Sequence, residues 1–276
     1  MKFKRAAQIL HVYDLPEKFC LMGAISGDVI GSVHEFSNQK STGFPLFSPY
    51  SHFTDDSVLT LAVAEAILDG RSYAECLLQF ARRYPHSGYG GGFMRWMLSE
   101  HQQPYNSYGN GSAMRVSAVG WAFDTEEKVL AEAKASAEVT HNHPEGIKGA
   151  QAVALAILRL RKGSGKEDVR AETEKLFGYD LHQTVDGIRP GYSFDETCQG
   201  TVPQAMVAFL DSNDFEDAIR KAVSLGGDAD TLGAITGSLA EAYYGGVPQE
   251  IVSVVWKRVS DELREIIVKF SGKFRS

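Results

Sequence analysis

Two short acidic segments in this chain of 276 residues place clustered oxygen donors where a helix would begin. The first is Phe53-Thr54-Asp55-Asp56-Ser57, ahead of the apolar run Val58 to Leu68. The second is Gly226-Gly227-Asp228-Ala229-Asp230-Thr231, ahead of Leu232 to Tyr244. Either segment alone reads as an ordinary helix cap, because Asp, Ser and Thr accept from free N–H groups at a helix start and acids there suit the helix dipole. One cap needs one side chain, whereas each segment offers three donors. Carboxylates packed this closely repel unless a cation offsets their charge. Their oxygens are hard ligands, suited to Mg²⁺ or Mn²⁺ rather than zinc. If the two helix starts meet in space, four Asp and two Thr could hold two cations, which in such sites sit about 3.5–4 Å apart. An EF-hand is excluded, since its ligands occupy a single loop.

The elements that must bring these segments together are helical. Apolar periodicity predicts helices over Phe19–Val33, Ser57–Asp69, Ser72–Tyr84, Glu126–Thr140, Glu145–Arg161, Phe215–Leu225, Thr231–Tyr244 and Gln249–Phe270. Asp69-Gly70, Gly163-Ser164-Gly165 and Gly245-Gly246-Val247-Pro248 read as stops. Strand-like alternation is rare, and no Pro- or Ser-rich linker divides the chain. The expectation is one all-α domain of many helices over residues 1–276. Gly23, Gly27 and Gly31 recur every fourth residue and so share a helix face. Each costs roughly 1 kcal/mol against Ala. Close packing of a neighbouring helix is the preferred explanation, ahead of backbone approach to a ligand.

Hydrophobic residues make up 43% of the chain, enough for a sizeable core. The net charge of −7 argues against general binding to a nucleic-acid backbone, which needs a basic face. Cys20, Cys76 and Cys198 are sparse and unpaired by spacing, and read as thiols in a reducing compartment. The N-terminal apolar stretch is interrupted by Gln8 and His11, which reads against a signal peptide. The longest apolar run, Ala150 to Leu160, is about half a membrane span. A soluble cytoplasmic protein is expected; the oligomeric state is not legible.

Between the acidic segments lies Tyr108-Gly109-Asn110-Gly111-Ser112-Ala113-Met114-Arg115. Glycines let backbone N–H groups approach a phosphate, and a helix start favours an anion, although a plain turn is the default reading. Arg115 could reach phosphate or pair with an acid of the fold. Gly88-Tyr89-Gly90-Gly91-Gly92-Phe93 is a second glycine-rich segment, either a pocket rim or a turn.

In this order the fragments GAISGDVIGSVHEF, FTDDS, GNGSAMR, THNHPEG and GGDADTLGAITG resemble the ADP-ribosylglycohydrolase family over roughly residues 19–245. The resemblance implies an all-α fold around a binuclear magnesium, sometimes manganese, site. It implies Thr54, Asp55, Asp56, Asp228, Asp230 and Thr231 as metal ligands, and Gly109, Asn110, Gly111, Ser112, Ala113, Met114 and His141 as contacts to ADP-ribose. Glu35 matches a mobile glutamate near the site in some members; Asp28 reads as structural. His143, beside Pro144, ranks below His141 as a ligand contact. The implied activity is hydrolysis of the N- or O-glycosidic bond that joins ADP-ribose to a target, with Asp56 or Glu35 handling the proton of the attacking water. Two other readings remain open: a non-catalytic ADP-ribose binder of the same fold, and a metal-dependent hydrolase of a free nucleotide. The absence of any His-Asp dipeptide weighs against the latter. The segments Ser37 to Ser51 and Tyr179 to Thr197 are expected to choose the acceptor.

Overall fold

The computed structural model describes residues 19–274, so the N-terminal stretch around Gln8 and His11 lies outside the described residues. The fold is all-α. Its first half contains α1 (Met22–Gly31), α2 (Asp55–Asp69), α3 (Tyr73–Arg83), α4 (Gly91–Leu98), α5 (Gly111–Met114), α6 (Ser117–Ala122) and α7 (Glu126–Glu138). Its second half contains α8 (Pro144–Arg161), α9 (Lys166–Phe177), α10 (Val185–Ile188), α11 (Cys198–Leu210), α12 (Phe215–Val223), α13 (Ala229–Tyr244), α14 (Gln249–Trp256) and α15 (Asp261–Phe274). Among the described residues the only strand-type pairing is a single bridge between Gly109 and Thr197. No described helix is long and apolar enough to cross a membrane.

Two helices form the axis. Every residue of α1 is buried, and so is α13 from Ala229 through Ala242. They approach backbone to backbone along the glycine face. A Cβ added at Gly27 would lie 1.9 Å from the Gly233 carbonyl oxygen, one at Gly23 2.2 Å from that of Gly237, and one at Gly31 2.3 Å from that of Ala229. The opposing positions are equally closed: a Cβ on Gly237 would lie 2.1 Å from the Gly23 oxygen. Helix packing therefore accounts for the glycines of both helices. Leu21, at φ 78°, offers no capping side chain to α1. The carboxyl of Glu241 on α13 is buried beside this helix start with neither oxygen in a hydrogen bond among the described residues, and burial pushes its pKa up to about 8.

Around this axis α8 packs on α5, α6, α7, α11 and α13, burying the apolar run from Ala152 to Leu158. Helix α2, nearly as apolar, packs on α1, α3, α6 and α15. Six helices fall outside the spans that apolar periodicity predicts: the short α5, α6 and α10, and the three that follow. Helix α9 is largely charged and buries only Val169 and Thr173. Helix α11 contains Pro203, a residue that usually ends a helix but here is buried within one. Helix α4 begins on Gly91-Gly92, inside the segment read as a rim or turn. The stretch read as one helix over Gln249–Phe270 is two, broken after Trp256. There Arg264 Nε donates to the Trp256 carbonyl at 2.7 Å, and the Ser260 hydroxyl accepts from the Leu263 N–H at 3.4 Å.

The seam makes opposite demands on two helical glycines. Gly27→Ala should destabilise the protein by about 1–3 kcal/mol, the scale of overpacking a closed interface. Gly272→Ala, where an added Cβ meets nothing, should stabilise it by up to about 1 kcal/mol through helix propensity. Denaturant midpoints of the two variants check both signs.

Candidate active site

The two acidic segments meet at one end of the α1–α13 axis. Asp28, wholly buried on α1, organises the first. Its carboxylate accepts from the Thr54 N–H at 2.9 Å, the Thr54 hydroxyl at 2.8 Å, the Ser57 N–H at 3.1 Å and the Ser57 hydroxyl. Asp28 thus holds the start of α2, and its expected structural role follows from these four donors. The Asp55 N–H donates to the Ser87 carbonyl at 2.7 Å, which draws the Gly88 segment against the same helix start. The second segment is set by two consecutive residues in the left-handed region, Gly226 at φ 75° and Gly227 at φ 79°. A Cβ at Gly227 would lie 3.1 Å from both Phe194 Cα and the Ser193 carbonyl oxygen, so that turn needs glycine for space as well as for φ.

The segments touch directly: the Thr231 hydroxyl donates to Asp56 Oδ2 at 3.3 Å. Glu35, just beyond α1, joins them; it, Asp228 and Asp230 each offer a carboxylate oxygen within 4.8 Å of the others. A cavity of about 460 Å³ opens on this cluster. Of the six residues expected as metal ligands, Asp55, Asp56, Asp228 and Thr231 line it, as does Glu35. Asp230 sits behind Asp228, with its Oδ1 accepting the Thr231 N–H at 3.0 Å, and the hydroxyl proton of Thr54 is committed to Asp28.

Electrostatics set this cluster apart from the caps elsewhere in the chain. Burial, then Asp28 and Asp228, raises the Asp55 pKa well above the ordinary carboxylate range. Burial, then Asp230 and Asp28, does the same for Asp56. Asp228 and Asp230 are both raised above the ordinary carboxylate range, chiefly by burial. Glu35 is pushed up to about 7 by burial and by the charges of Asp228, Asp28 and Glu196. Asp56 Oδ1 is buried with no hydrogen-bond partner. A buried carboxylate oxygen without a partner, amid acids that repel one another, is a cluster whose charge a divalent cation would offset. The donor set, all oxygen, fits Mg²⁺ or Mn²⁺.

The Gly-Asn-Gly segment reaches the cavity from the opposite wall. Asn110 Nδ2 donates to Asp228 Oδ2 at 2.7 Å and to the Thr201 hydroxyl at 3.0 Å, so this side chain orients the acid cluster. Gly109, Asn110, Gly111, Met114 and His141 line the cavity. Ser112 and Ala113 do not; the Ser112 hydroxyl is spent on the Gly146 carbonyl at 2.7 Å. Arg115 is buried and also lines the cavity; among the described residues its Nη2 bonds the Ser136 carbonyl and the Thr140 hydroxyl rather than an acid, while Nε and Nη1 have no partner. His143 caps α8 through the Glu145 N–H at 3.1 Å, the loop role expected of it. The glycines of the Gly88–Phe93 segment form the rim. Glu196, Phe194 and Tyr105 also line the cavity, and no motif flagged Glu196 or Tyr105. Phe194 belongs to the segment expected to choose the acceptor, and its ring stacks on exposed Phe36 with centroids 6.1 Å apart.

Lys40 ties the covering segments to the acid turn. Its ammonium donates to the Tyr192 carbonyl at 2.6 Å, to the Arg189 carbonyl at 3.1 Å and to the Leu225 carbonyl just before Gly226.

A family model for ADP-ribosylglycohydrolase matches residues 17–275, past the last motif and through α15. The chain is 26% identical to ADP-ribosylhydrolase ARH3 of Mus musculus, over 89% of this chain and 87% of that protein. It is 28% identical to the ADP-ribosylarginine hydrolase Tri1 of Pseudomonas putida (strain GB-1), over 90% of this chain and 76% of the relative. It is also 28% identical to the ADP-ribosyl-dinitrogen-reductase glycohydrolase of Rhodospirillum rubrum, over 88% and 91%. A solved structure described as an ADP-ribosylglycohydrolase-related protein complex superposes with a TM-score of 0.71 at 26% identity, covering 92% of this chain and 95% of its own.

The raised carboxyl groups give a pH signature. The metal-free folded chain retains protons that the unfolded chain loses near pH 4, so its stability falls as pH rises from about 4 through about 7. A cation replaces those protons, so thermal stabilisation by Mg²⁺ or Mn²⁺ should be larger at pH 8 than at pH 6, reaching about 2.7 kcal/mol at a hundredfold excess over Kd. Equal shifts at both pH values, or none, would count against a cation site. Lys40→Met, by freeing three carbonyls, should cost about 1–2 kcal/mol in denaturant unfolding.

Proposed function

Since the chain belongs to the ADP-ribosylglycohydrolase family, we propose that it is a hydrolase that removes ADP-ribose from a modified target, with two Mg²⁺ or Mn²⁺ ions held by the acidic cluster. The observation that carries this reading is the meeting of two helix starts, distant in sequence, through the Thr231–Asp56 contact at the floor of one cavity. The relatives named above carry ADP-ribosyl hydrolase names with acceptors that include arginine and dinitrogen reductase. The acceptor here is therefore an ADP-ribosylated target of undetermined linkage. The cavity, of about 460 Å³, has room for a ligand of nucleotide size.

Asp55, Asp56, Asp228 and Asp230 are the proposed carboxylate ligands, with the hydroxyls of Thr54 and Thr231 beside them. When bound, the cations supply Lewis acidity toward the ribose hydroxyls and water. The rest is done by side chains of the chain. The Gly109–Gly111 segment and His141 receive the diphosphate. The carboxylates turn the distal ribose so that C1 faces a water. The water oxygen forms a bond to C1, the bond from C1 to the acceptor atom breaks, and the acceptor leaves with the electron pair and a proton. Asp56 and Glu35 were equally placed by sequence to take the water's proton, and their exposure separates them. Asp56 is 2% exposed at the cavity floor, whereas Glu35 is half-buried beside Asp228 with an open side toward the cavity. Glu35 is therefore the proposed acid–base group and Asp56 a ligand.

Asp55→Ala and Asp230→Ala should each reduce metal-dependent release of ADP-ribose by at least about a hundredfold, the scale of losing one preorganised electrostatic contact. Chelator should abolish release by the unaltered chain. A panel of arginine-, serine- and nucleic-acid-linked ADP-ribose, run with Mg²⁺, Mn²⁺ and EDTA, tests activity and acceptor together. Full turnover of any substrate by the variants under EDTA would refute the two-metal reading.

A further inference from the structure

Arg115, buried in the cavity wall, also connects to His141 through a hydrogen-bonded chain. Its Nη2 donates to the Thr140 hydroxyl oxygen at 2.9 Å, and that oxygen lies 2.7 Å from His141 Nδ1. All three residues are buried. A guanidinium has hydrogens to give and no lone pair to accept with, so the Thr140 oxygen must be the acceptor of the first contact. The threonine then has one proton to place. Among the described residues its only other hydrogen-bond partner is His141 Nδ1. If Nδ1 carried a proton, the buried threonine hydrogen would have no acceptor, a cost of about 1–3 kcal/mol. The arrangement that satisfies the threonine hydroxyl runs one way, from Arg115 Nη2 to Thr140 to Nδ1, and leaves the imidazole proton on Nε2; Arg115 Nε and Nη1 have no partner among the described residues.

That nitrogen faces the ligand loop. His141 Nε2 lies 3.2 Å from where a Cβ on Gly111 would be and 3.5 Å from one on Gly109, so these two glycines clear the space in front of it. It has no protein partner among the described residues, and the ring lines the cavity. The charged or titratable groups around the ring are few. Arg115 lies at the end of α5, and the Tyr105 ring stands 6.1 Å away on the segment before the loop. From α8 the neighbour is the uncharged Gly146. From α11 it is the Cys198 thiol, which donates to the Gly109 carbonyl at 3.1 Å and is pushed up to about 12 by burial. Burial, with the charge of Arg115, holds His141 well below its ordinary pKa.

We propose that Arg115 and Thr140 are positioning residues that lock His141 as a neutral Nε2–H donor, aimed across Gly109 and Gly111 at an anionic oxygen of the bound ligand. The ligand side of this inference rests on the reading of the cavity as an ADP-ribose site; the tautomer does not. Arg115 places a positive charge in the cavity wall with almost no exposed surface. The group that meets the ligand is uncharged and insensitive to pH, so the loop grips a phosphate oxygen by direction rather than by net charge.

The test is nitrogen NMR of the full chain labelled at histidine, with the His141 signals assigned by their loss in His141→Asn. Nδ1 should be unprotonated and Nε2 protonated at every pH between about 6 and 8. Thr140→Val should redistribute the tautomer and weaken ADP-ribose binding, measured by calorimetry with Mg²⁺ present, about three- to tenfold. Thr140→Ser should restore both. A proton on Nδ1 in the unaltered chain, titration near the ordinary histidine pKa, or a Thr140→Val variant with unchanged tautomer or affinity would each overturn the proposal. Should Thr140→Val not fold, the spectra of the unaltered chain and of Thr140→Ser decide. Failure of the unaltered chain to bind ADP-ribose would defeat the functional reading of the cavity, while the spectra would still judge the relay.

Discussion

The structure depends on how closely two backbones approach. Along α1 and α13, glycine faces glycine or a bare carbonyl at three successive turns, with no room for a methyl group at Gly23, Gly27 or Gly31. Glycine within a helix is unfavourable taken alone. Here the penalty is offset because close approach sets the relative height of two helices to within a side chain's width. From that height follow both halves of the acidic cluster. Asp28 reaches across from α1 to gather the Thr54–Ser57 turn with four donors. Ala229 and the carboxylates beside it are placed directly by contact with Gly31.

Around that axis the polar groups divide into those spent on the fold and those left unspent. Asp28, Ser57, Ser112 and His143 have their hydrogen bonds satisfied by protein and serve as struts. Asp56 retains a buried oxygen without a partner, burial and mutual repulsion raise the pKa values of Asp55, Asp56, Asp228 and Asp230 together, and His141 lines the cavity. Acids held this close at a cavity wall are costly to the folded chain, and their mutual repulsion separates a site from an assembly of caps. The same distinction sorts two residues of one motif on either side of Gly111: Asn110 is at once strut and wall, while Ser112 is only strut.

Much of this was legible in the residue order. The long apolar helices α2, α8 and α13 declare themselves by pattern, and the two acidic segments by their surplus of oxygens over what capping requires. The glycine spacing of α1 pointed to a packed neighbour but not to which one, because Gly233 and Gly237 sit within a helix whose apolar run conceals them. Helix α9 was missed because its stability lies in side-chain contacts at its ends rather than in an apolar face. Helix α11 was missed because Pro203 reads as a break. In the site, Glu196 and Tyr105 went unnoticed for a different reason. Each reaches the cavity from a loop with no periodicity, and their types carry no information until the chain has folded. The relay from Arg115 through Thr140 was invisible for the same cause, since hydrogen-bond direction exists only in three dimensions.

Lys40 carries a consequence for how such a protein can diversify. Its hydrogen bonds to the segment around Arg189 and Tyr192, and to the residue ahead of the Gly226-Gly227 turn, all go to main-chain carbonyls. A carbonyl is present whatever side chain accompanies it. The fastening by Lys40 therefore does not depend on the side chains of that segment, although Arg189 and Tyr192 add anchors of their own at the Ser224 hydroxyl and the Gly200 carbonyl. Recognition of a new modified partner can drift at the rim while the chemistry below keeps its alignment, provided one lysine stays in place.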